Sequence, residues 1–166
     1  VFMHLKARTG EEIPIDIYHG IFGKIQRWVY QFGGVINKTD YTEKGYIILI
    51  LFGVPLIQGD DIERAFLCTQ RLPGCMTHEV ECRIGITYSN IYCGPIGAAK
   101  RWEYGIIGNA VNVAARLLSF AGNGQIAMTE EILPFIESRF SYSYAGSSKV
   151  RGIKEAIPIS LEKVYT

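Results

Sequence analysis

Asn112 and Arg116 stand four residues apart in the stretch from Arg101 to Arg116, which reads as a strand, a tight glycine turn and a helix. Positions four apart on a helix are surface neighbours, so an amide and a guanidinium project side by side. Val111, Ala114, Ala115 and Leu118 supply an apolar stripe at helical spacing. The guanidinium fork suits two-point contact with a phosphate or carboxylate, and anion binding is the chemistry this pair could perform. On spacing alone, an ordinary amphipathic helix with a solvated arginine is the simpler reading. A second place for an anion is the basic, glycine-punctuated run Ser147 to Lys154, for which a solvated loop is the plain alternative.

The elements that must carry these residues follow from periodicity and turn signals. Val1 to Lys6 alternates as a strand, and Ala7 to Pro14 is a polar connection. Ile17, Ile21, Ile25, Val29 and Phe32 recur every three or four residues, predicting one long helix that Gly33 and Gly34 end. Val35 to Lys38 and Tyr46 to Phe52 read as strands joined by Thr39 to Gly45. A helix capped by Asp60 or Asp61 runs to about Leu72 before Pro73 and Gly74. Glu81 to Thr87 and Ile91 to Ile96 read as a strand pair turning at Tyr88 to Asn90, with Gly94 and Gly97 bracketing the exit. Tyr104 to Ile107 is a short strand, Asn109 caps a helix to about Phe120, and Gly122 to Gly124 ends it. Gln125 to Met128, a short helix to about Ser138, and strands Phe140 to Tyr144 and Ile157 to Val164 complete the chain. The order predicts an α+β fold with a mainly antiparallel sheet, helices packed on one face, and a ferredoxin-like split βαβ core with extra C-terminal strands.

A chain of 166 residues, 48% hydrophobic, suffices for one core and reads as a single domain over 1–166. Seventeen Lys and Arg against sixteen Asp and Glu leave a formal charge of +1, so no global field points to nucleic acid or an acidic membrane surface. The aromatic fraction of 12% falls mostly in core-like patterns, which places an RNA-stacking sheet far behind other readings. No apolar run approaches the roughly 20 residues of a membrane span; Tyr46 to Pro55 is of strand length. Cys68, Cys75, Cys82 and Cys93 form no metal-binding spacing, and His4, His19 and His78 are scattered. A reduced, cytoplasmic setting is the expectation. Val1 opens abruptly inside a strand-like run, as in a piece of a longer multidomain chain.

Several segments together resemble a class III nucleotidyl cyclase domain: Arg83-Ile84-Gly85-Ile86, Cys93-Gly94-Pro95-Ile96-Gly97, and Tyr104-Gly105-Ile106-Ile107-Gly108-Asn109-Ala110-Val111-Asn112-Val113-Ala114-Ala115-Arg116. Phe32 to Lys38, Glu43-Lys44-Gly45 and Phe52-Gly53-Val54-Pro55 are most similar to the second catalytic domain of bicarbonate-responsive soluble adenylyl cyclases. The resemblance covers nearly the whole chain. It implies conversion of a nucleoside triphosphate, ATP ahead of GTP, into a 3′,5′-cyclic monophosphate and pyrophosphate at an interface of two such domains. It implies Lys38 against the purine, Gly105 and Ile107 at the base, Asn112 on the ribose, Arg116 on the phosphates in the transition state, and Arg151 on the terminal phosphates. Gly105 offers only main-chain groups where the family reads the base with Asp or Thr, leaving ATP against GTP open. Two family Asp hold Mg2+ or Mn2+; here His4 follows Phe2-Met3, and the hairpin Lys38 to Gly45 is longer and out of register. The metals would therefore come from Asp residues of a sister domain in tandem, the isolated chain being an inactive homodimer. A non-catalytic regulatory or dimerisation module of the same fold is the alternative.

Overall fold

A computed structural model describes residues 1–136, 140, 142–149 and 156–163. Nine strands and three α-helices are found there: β1 (Phe2–Ala7), α1 (Ile15–Gln31), β2 (Val35–Thr42), β3 (Gly45–Leu51), α2 (Asp61–Arg71), β4 (Val80–Ile86), β5 (Tyr92–Ala98), β6 (Arg101–Ile107), α3 (Asn109–Leu117), β7 (Gln125–Thr129), β8 (Ser143–Lys149) and β9 (Ala156–Lys163). Short 3-10 turns lie at Pro73–Cys75 and Glu130–Phe135. Seven strands form one sheet in the order β2-β3-β1-β4-β7-β9-β8, with β5 and β6 in a ribbon of their own. Only β4 and β7 run parallel; the other neighbours are antiparallel.

Strand alternation sorts side chains between two faces. Met3, Leu5 and Ala7 of β1, Ile48 and Ile50 of β3, Val80, Cys82, Ile84 and Ile86 of β4, and Ile126 and Met128 of β7 are buried in one cluster with α1 and α2. Helix α1 contributes Tyr18, Ile21, Ile25 and Val29. It ends in a Schellman motif: the Gly34 N–H donates to Val29 O at 2.8 Å and that of Gly33 to Tyr30 O at 3.0 Å, with Gly33 at φ +72°. Burial pushes the thiols of Cys68 and Cys82 up to about 12, so they stay protonated as apolar packing.

The expectation of helices on one face holds for α1 and α2 alone. Helix α3 lies on the opposite face, where Leu117 packs with Ala127 of β7. Gly85 makes that approach possible, since a β-carbon there would collide with the carbonyl oxygen of Ala114.

Five local features differ from the sequence expectation. No β4–β5 hairpin forms, because β1 and β7 occupy both edges of β4, and β5 pairs with β6 instead. Strand β2 continues to Thr42, and the turn is only Glu43 and Lys44. Thr42 Oγ1 accepts from the Lys44 N–H at 3.2 Å and donates to Gly45 O at 3.0 Å, closing it tightly. Gly108, not Asn109, is the cap residue of α3. Strand β8 begins at Ser143, so part of the basic run Ser147 to Lys154 is strand and the rest lies outside the described residues. Asp60 caps no backbone group of α2; its carboxylate accepts from Arg64 Nε at 2.8 Å.

Candidate active site

Helix α3 follows β6 through Gly108 alone. It buries Val113, Ala114 and Leu117 and leaves Asn112 and Arg116 exposed. Each exposed residue precedes a buried one, Val113 or Leu117, by one position, about 100° round the helix. The amide and the guanidinium therefore share one flank of the helix. Arg116 also falls in the last turn, where a cation complements the partial negative charge of the helix end.

The register ties this helix to two other predicted positions. Lys38, Leu49, Phe2 and Gly85 form one cross-sheet row, and Gly85 faces α3. Lys38 thus projects from the face that α3 covers, three strand spacings or about 14 Å from β4. It is exposed, with its Nζ 3.4 Å from Asp40 Oδ2. An exposed pair of this kind holds its partners weakly.

The next row on that face is Asp40, Ile47, His4, Arg83 and Gln125. The His4 imidazole is half-buried, and its Nε2 lies 2.7 Å from Lys44 O. As the partner is a carbonyl, Nε2 carries the proton and donates. Burial holds the His4 pKa below its ordinary value; the bond to Lys44 opposes this, and the charges of Arg83, Lys6 and Lys44 add to the lowering.

These groups do not fit a divalent cation of the magnesium type, which takes hard oxygen ligands. The imidazole is turned to a carbonyl, and its surroundings are cationic. Asp40 lies two strand spacings, about 10 Å, away and is engaged by Lys38. Among the described residues no group of three His, Cys, Asp or Glu could hold a metal.

In the β5–β6 ribbon, Tyr92 pairs with Ile107, Gly94 with Gly105, and Ile96 with Glu103. These six residues share one face. Ile107 is exposed and Gly105 half-buried. The Gly94 and Gly105 pair makes a floor without side chains, and neighbours of β5 fold over it. A β-carbon on Gly105 would lie 2.7 Å from Ile96 Cδ1, and one on Gly94 would lie 2.9 Å from the Tyr92 hydroxyl. That hydroxyl donates to Pro95 O at 3.1 Å. Ile96 was not among the residues singled out from the sequence. Centring a two-residue turn on Ala99 and Lys100 would have paired Gly94 with Gly105 and disclosed it. Arg151 lies outside the described residues.

The structure thus brings Asn112, Arg116 and Lys38 to one face of the sheet and puts Gly105 and Ile107 on the strand entering α3. The family model described as the Adenylate and Guanylate cyclase catalytic domain matches residues 36–163, and the chain belongs to that family. Human adenylate cyclase type 10 is 29% identical over 106 residues, which cover 54% of this chain and 6% of that protein. The chain therefore spans only a small part of that relative's length. Two solved structures share the fold. The guanylyl cyclase Cya2 superposes with a TM-score of 0.77 at 24% identity, covering 99% of this chain and 91% of the other. The adenylyl cyclase CyaB from P. aeruginosa gives 0.73 at 21% identity, covering 99% and 93%.

Proposed function

We propose that this chain is the half of a two-domain cyclase that grips the nucleotide and leaves the metals to its partner, forming cyclic AMP and pyrophosphate from ATP. The observation that carries this reading is the contrast on one sheet face. Asn112 and Arg116 stand exposed on α3, while His4, turned to Lys44 O, occupies the β1 position where the family has a metal carboxylate. A sister domain carrying both Asp residues would supply Mg2+ or Mn2+.

In such an assembly Asn112 orients the ribose so that the 3′-oxygen lies in line with the α-phosphorus. Attack forms the bond from the 3′-oxygen to phosphorus and breaks the bond to the departing pyrophosphate. Arg116 stabilises the charge that builds on the phosphate oxygens. Lys38, Gly105 and Ile107 contact the base, and Arg151 contacts the terminal phosphates.

The exposed aromatic groups of the ribbon support a partner: Tyr92, Trp102 and Tyr104 are each at least half exposed, at 52%, 66% and 51%. Aromatic residues are enriched in buried interfaces.

The test fuses this chain to a cyclase domain bearing both metal Asp residues and assays cyclic nucleotide formation from ATP and GTP with magnesium or manganese. Product from the fusion, none from the isolated chain, and loss of product on Arg116→Ala are expected. An inactive fusion, or one indifferent to Arg116→Ala, removes the reading and leaves the non-catalytic module.

A further inference from the structure

We infer that Ile96 is a substrate-binding residue of this half-site, laying an aliphatic tip over Gly105 where a side chain at position 105 would otherwise stand and the base would rest against it. The inference rests on the proposed placement of the base against Gly105 and Ile107. Its structural content is independent of that placement.

Ile96 reaches Gly105 from the neighbouring strand. Residue 96 pairs with Glu103 and residue 105 with Gly94, so Ile96 and Gly105 are diagonal neighbours on one face, a separation that long side chains bridge. The δ-methyl makes the contact: Cδ1 lies 2.7 Å from where a β-carbon on Gly105 would be, and Cγ1 and Cβ lie at 3.5 and 3.9 Å. A real β-carbon contact at 2.7 Å is a steric overlap. The space over Gly105 is therefore filled by the δ-methyl of Ile96, the mobile end of that side chain, which must turn aside for any side chain at position 105.

This has a chemical consequence for the base. Adenine and guanine differ at position 6 by an amino donor against an oxo acceptor. A side-chain carboxylate or hydroxyl tells these apart by hydrogen bonding, and a site built that way rejects the wrong partner strongly because buried polar groups are left unpaired. An isoleucine methyl can do neither. It presents the same dispersion surface to both purines and senses their shape and position. At this wall, purine is accepted as a class, and a choice between the two bases requires substitutions at 96 and 105 together.

The experiment is a double-substitution cycle in the two-domain fusion, read as KM and kcat for ATP and GTP. Ile96→Val removes only the methyl over Gly105, so its folding is secure. It is expected to raise KM for both nucleotides about 3-fold with kcat within 2-fold, the worth of roughly one methyl contact. Gly105→Ala is expected to raise both KM values about 3-fold by turning the δ-methyl aside, and Ile96→Val with Gly105→Ala together to cost less than the two separate effects combined, because the overlapping atom is gone. Gly105→Asp with Ile96→Val is expected to shift the ATP to GTP ratio of kcat/KM at least 10-fold toward ATP, and Gly105→Asp alone to depress both. Additive effects of Ile96→Val and Gly105→Ala, or an unmoved base ratio in an active fusion, overturn the role of Ile96 and leave the cyclase reading intact. If the wild-type fusion makes no product, calorimetry with ATP and GTP decides with the same variants: the same non-additivity in Kd upholds Ile96, and additivity or no binding overturns it.

Discussion

Gly85 of β4 lies directly under Ala114 of α3, so close that a β-carbon on the glycine would run into the alanine's carbonyl oxygen. This contact sets the height of the helix above the sheet, and through it the position of Asn112 and Arg116. Replacing Gly85 by Ala must lift α3 or bend β4. The expected cost is about 1–3 kcal/mol, the usual range for overpacking, measured by urea denaturation of the isolated domain. In the active fusion the same change should lower kcat, because displacement of an oriented group costs rate.

Arg116 and Asn112 should fail differently. Arg116→Ala is expected to lower kcat about 100- to 1000-fold with a smaller change in KM, as for loss of a group acting on transition-state charge. Arg116→Lys keeps the charge without the planar fork and should recover only part of it. Steady-state kinetics of the fusion checks both. Asn112→Ala should also lower kcat, by a smaller factor of about 10-fold, since a neutral amide hydrogen bond is weaker than one from a charged guanidinium.

His4 makes stability depend on pH in a defined direction. Its folded pKa lies below the ordinary 6.5, first because of burial, with Arg83, Lys6 and Lys44 adding to the effect. Between the folded and unfolded values the unfolded chain binds more protons, so stability rises with pH there. The contribution is complete above about pH 6.5 and declines as pH falls through the folded value. His4→Gln keeps a donor for Lys44 O and removes the titration. Thermal melts from pH 7.5 to 5 should fall less steeply for the variant than for the wild type.

A carboxylate at position 4 should not by itself make a metal site. His4→Asp replaces a donor to Lys44 O by an acceptor, and the carboxylate of its sheet row, Asp40, lies two strand spacings away. Calorimetry is expected to show no magnesium binding by His4→Asp alone, and the isolated variant should remain inactive.

Arg64 joins the two helices of the main core. Its Nη1 donates to Phe32 O at 2.7 Å, the end of α1, while Nε and Nη2 hold Asp60 and Asp61. Asp61 in turn accepts from the Gln58 N–H at 2.8 Å. The Arg64 and Asp61 side chains are 17% and 13% exposed, and removing the arginine strands a largely buried carboxylate. Arg64→Ala is expected to cost about 2–3 kcal/mol in urea denaturation, less than the 3–5 kcal/mol of a fully buried pair because Asp60 is solvated.

What could be read from the sequence was local. The 3.6-residue period exposed α1 through Ile21, Ile25 and Val29, and Gly33 and Gly34 marked its end. The turn signal Tyr88-Ser89-Asn90 misled, because a strand pairs where an edge is free, and the edges of β4 were taken by strands distant in sequence. The face chosen by α3 likewise depended on Gly85, whose lack of a side chain carries no periodicity. Spacing put Asn112 and Arg116 side by side on one helix, and α3 does leave both exposed on one flank. The approach of Ile96 to Gly105 depended on the cross-strand register, which a turn centred on Ala99 and Lys100 sets. Arg64 drew no notice in the sequence, since its reach to Phe32 O exists only in the tertiary fold.

The separateness of the β5–β6 ribbon has a thermodynamic consequence. Its strands pair only with each other among the described residues, and an isolated two-stranded ribbon is marginal in water. The segment from Gly105 to Arg116 therefore spans a boundary, one end on a weakly supported ribbon and the other on a helix fastened to the core. Local opening of the ribbon should be far easier than global unfolding, and amide exchange should be fast at 92–107 and slow at 82–86. A partner that packed on the ribbon would raise the population of its ordered state, and by linkage a ligand selecting that ordered state would tighten the partner to the same degree.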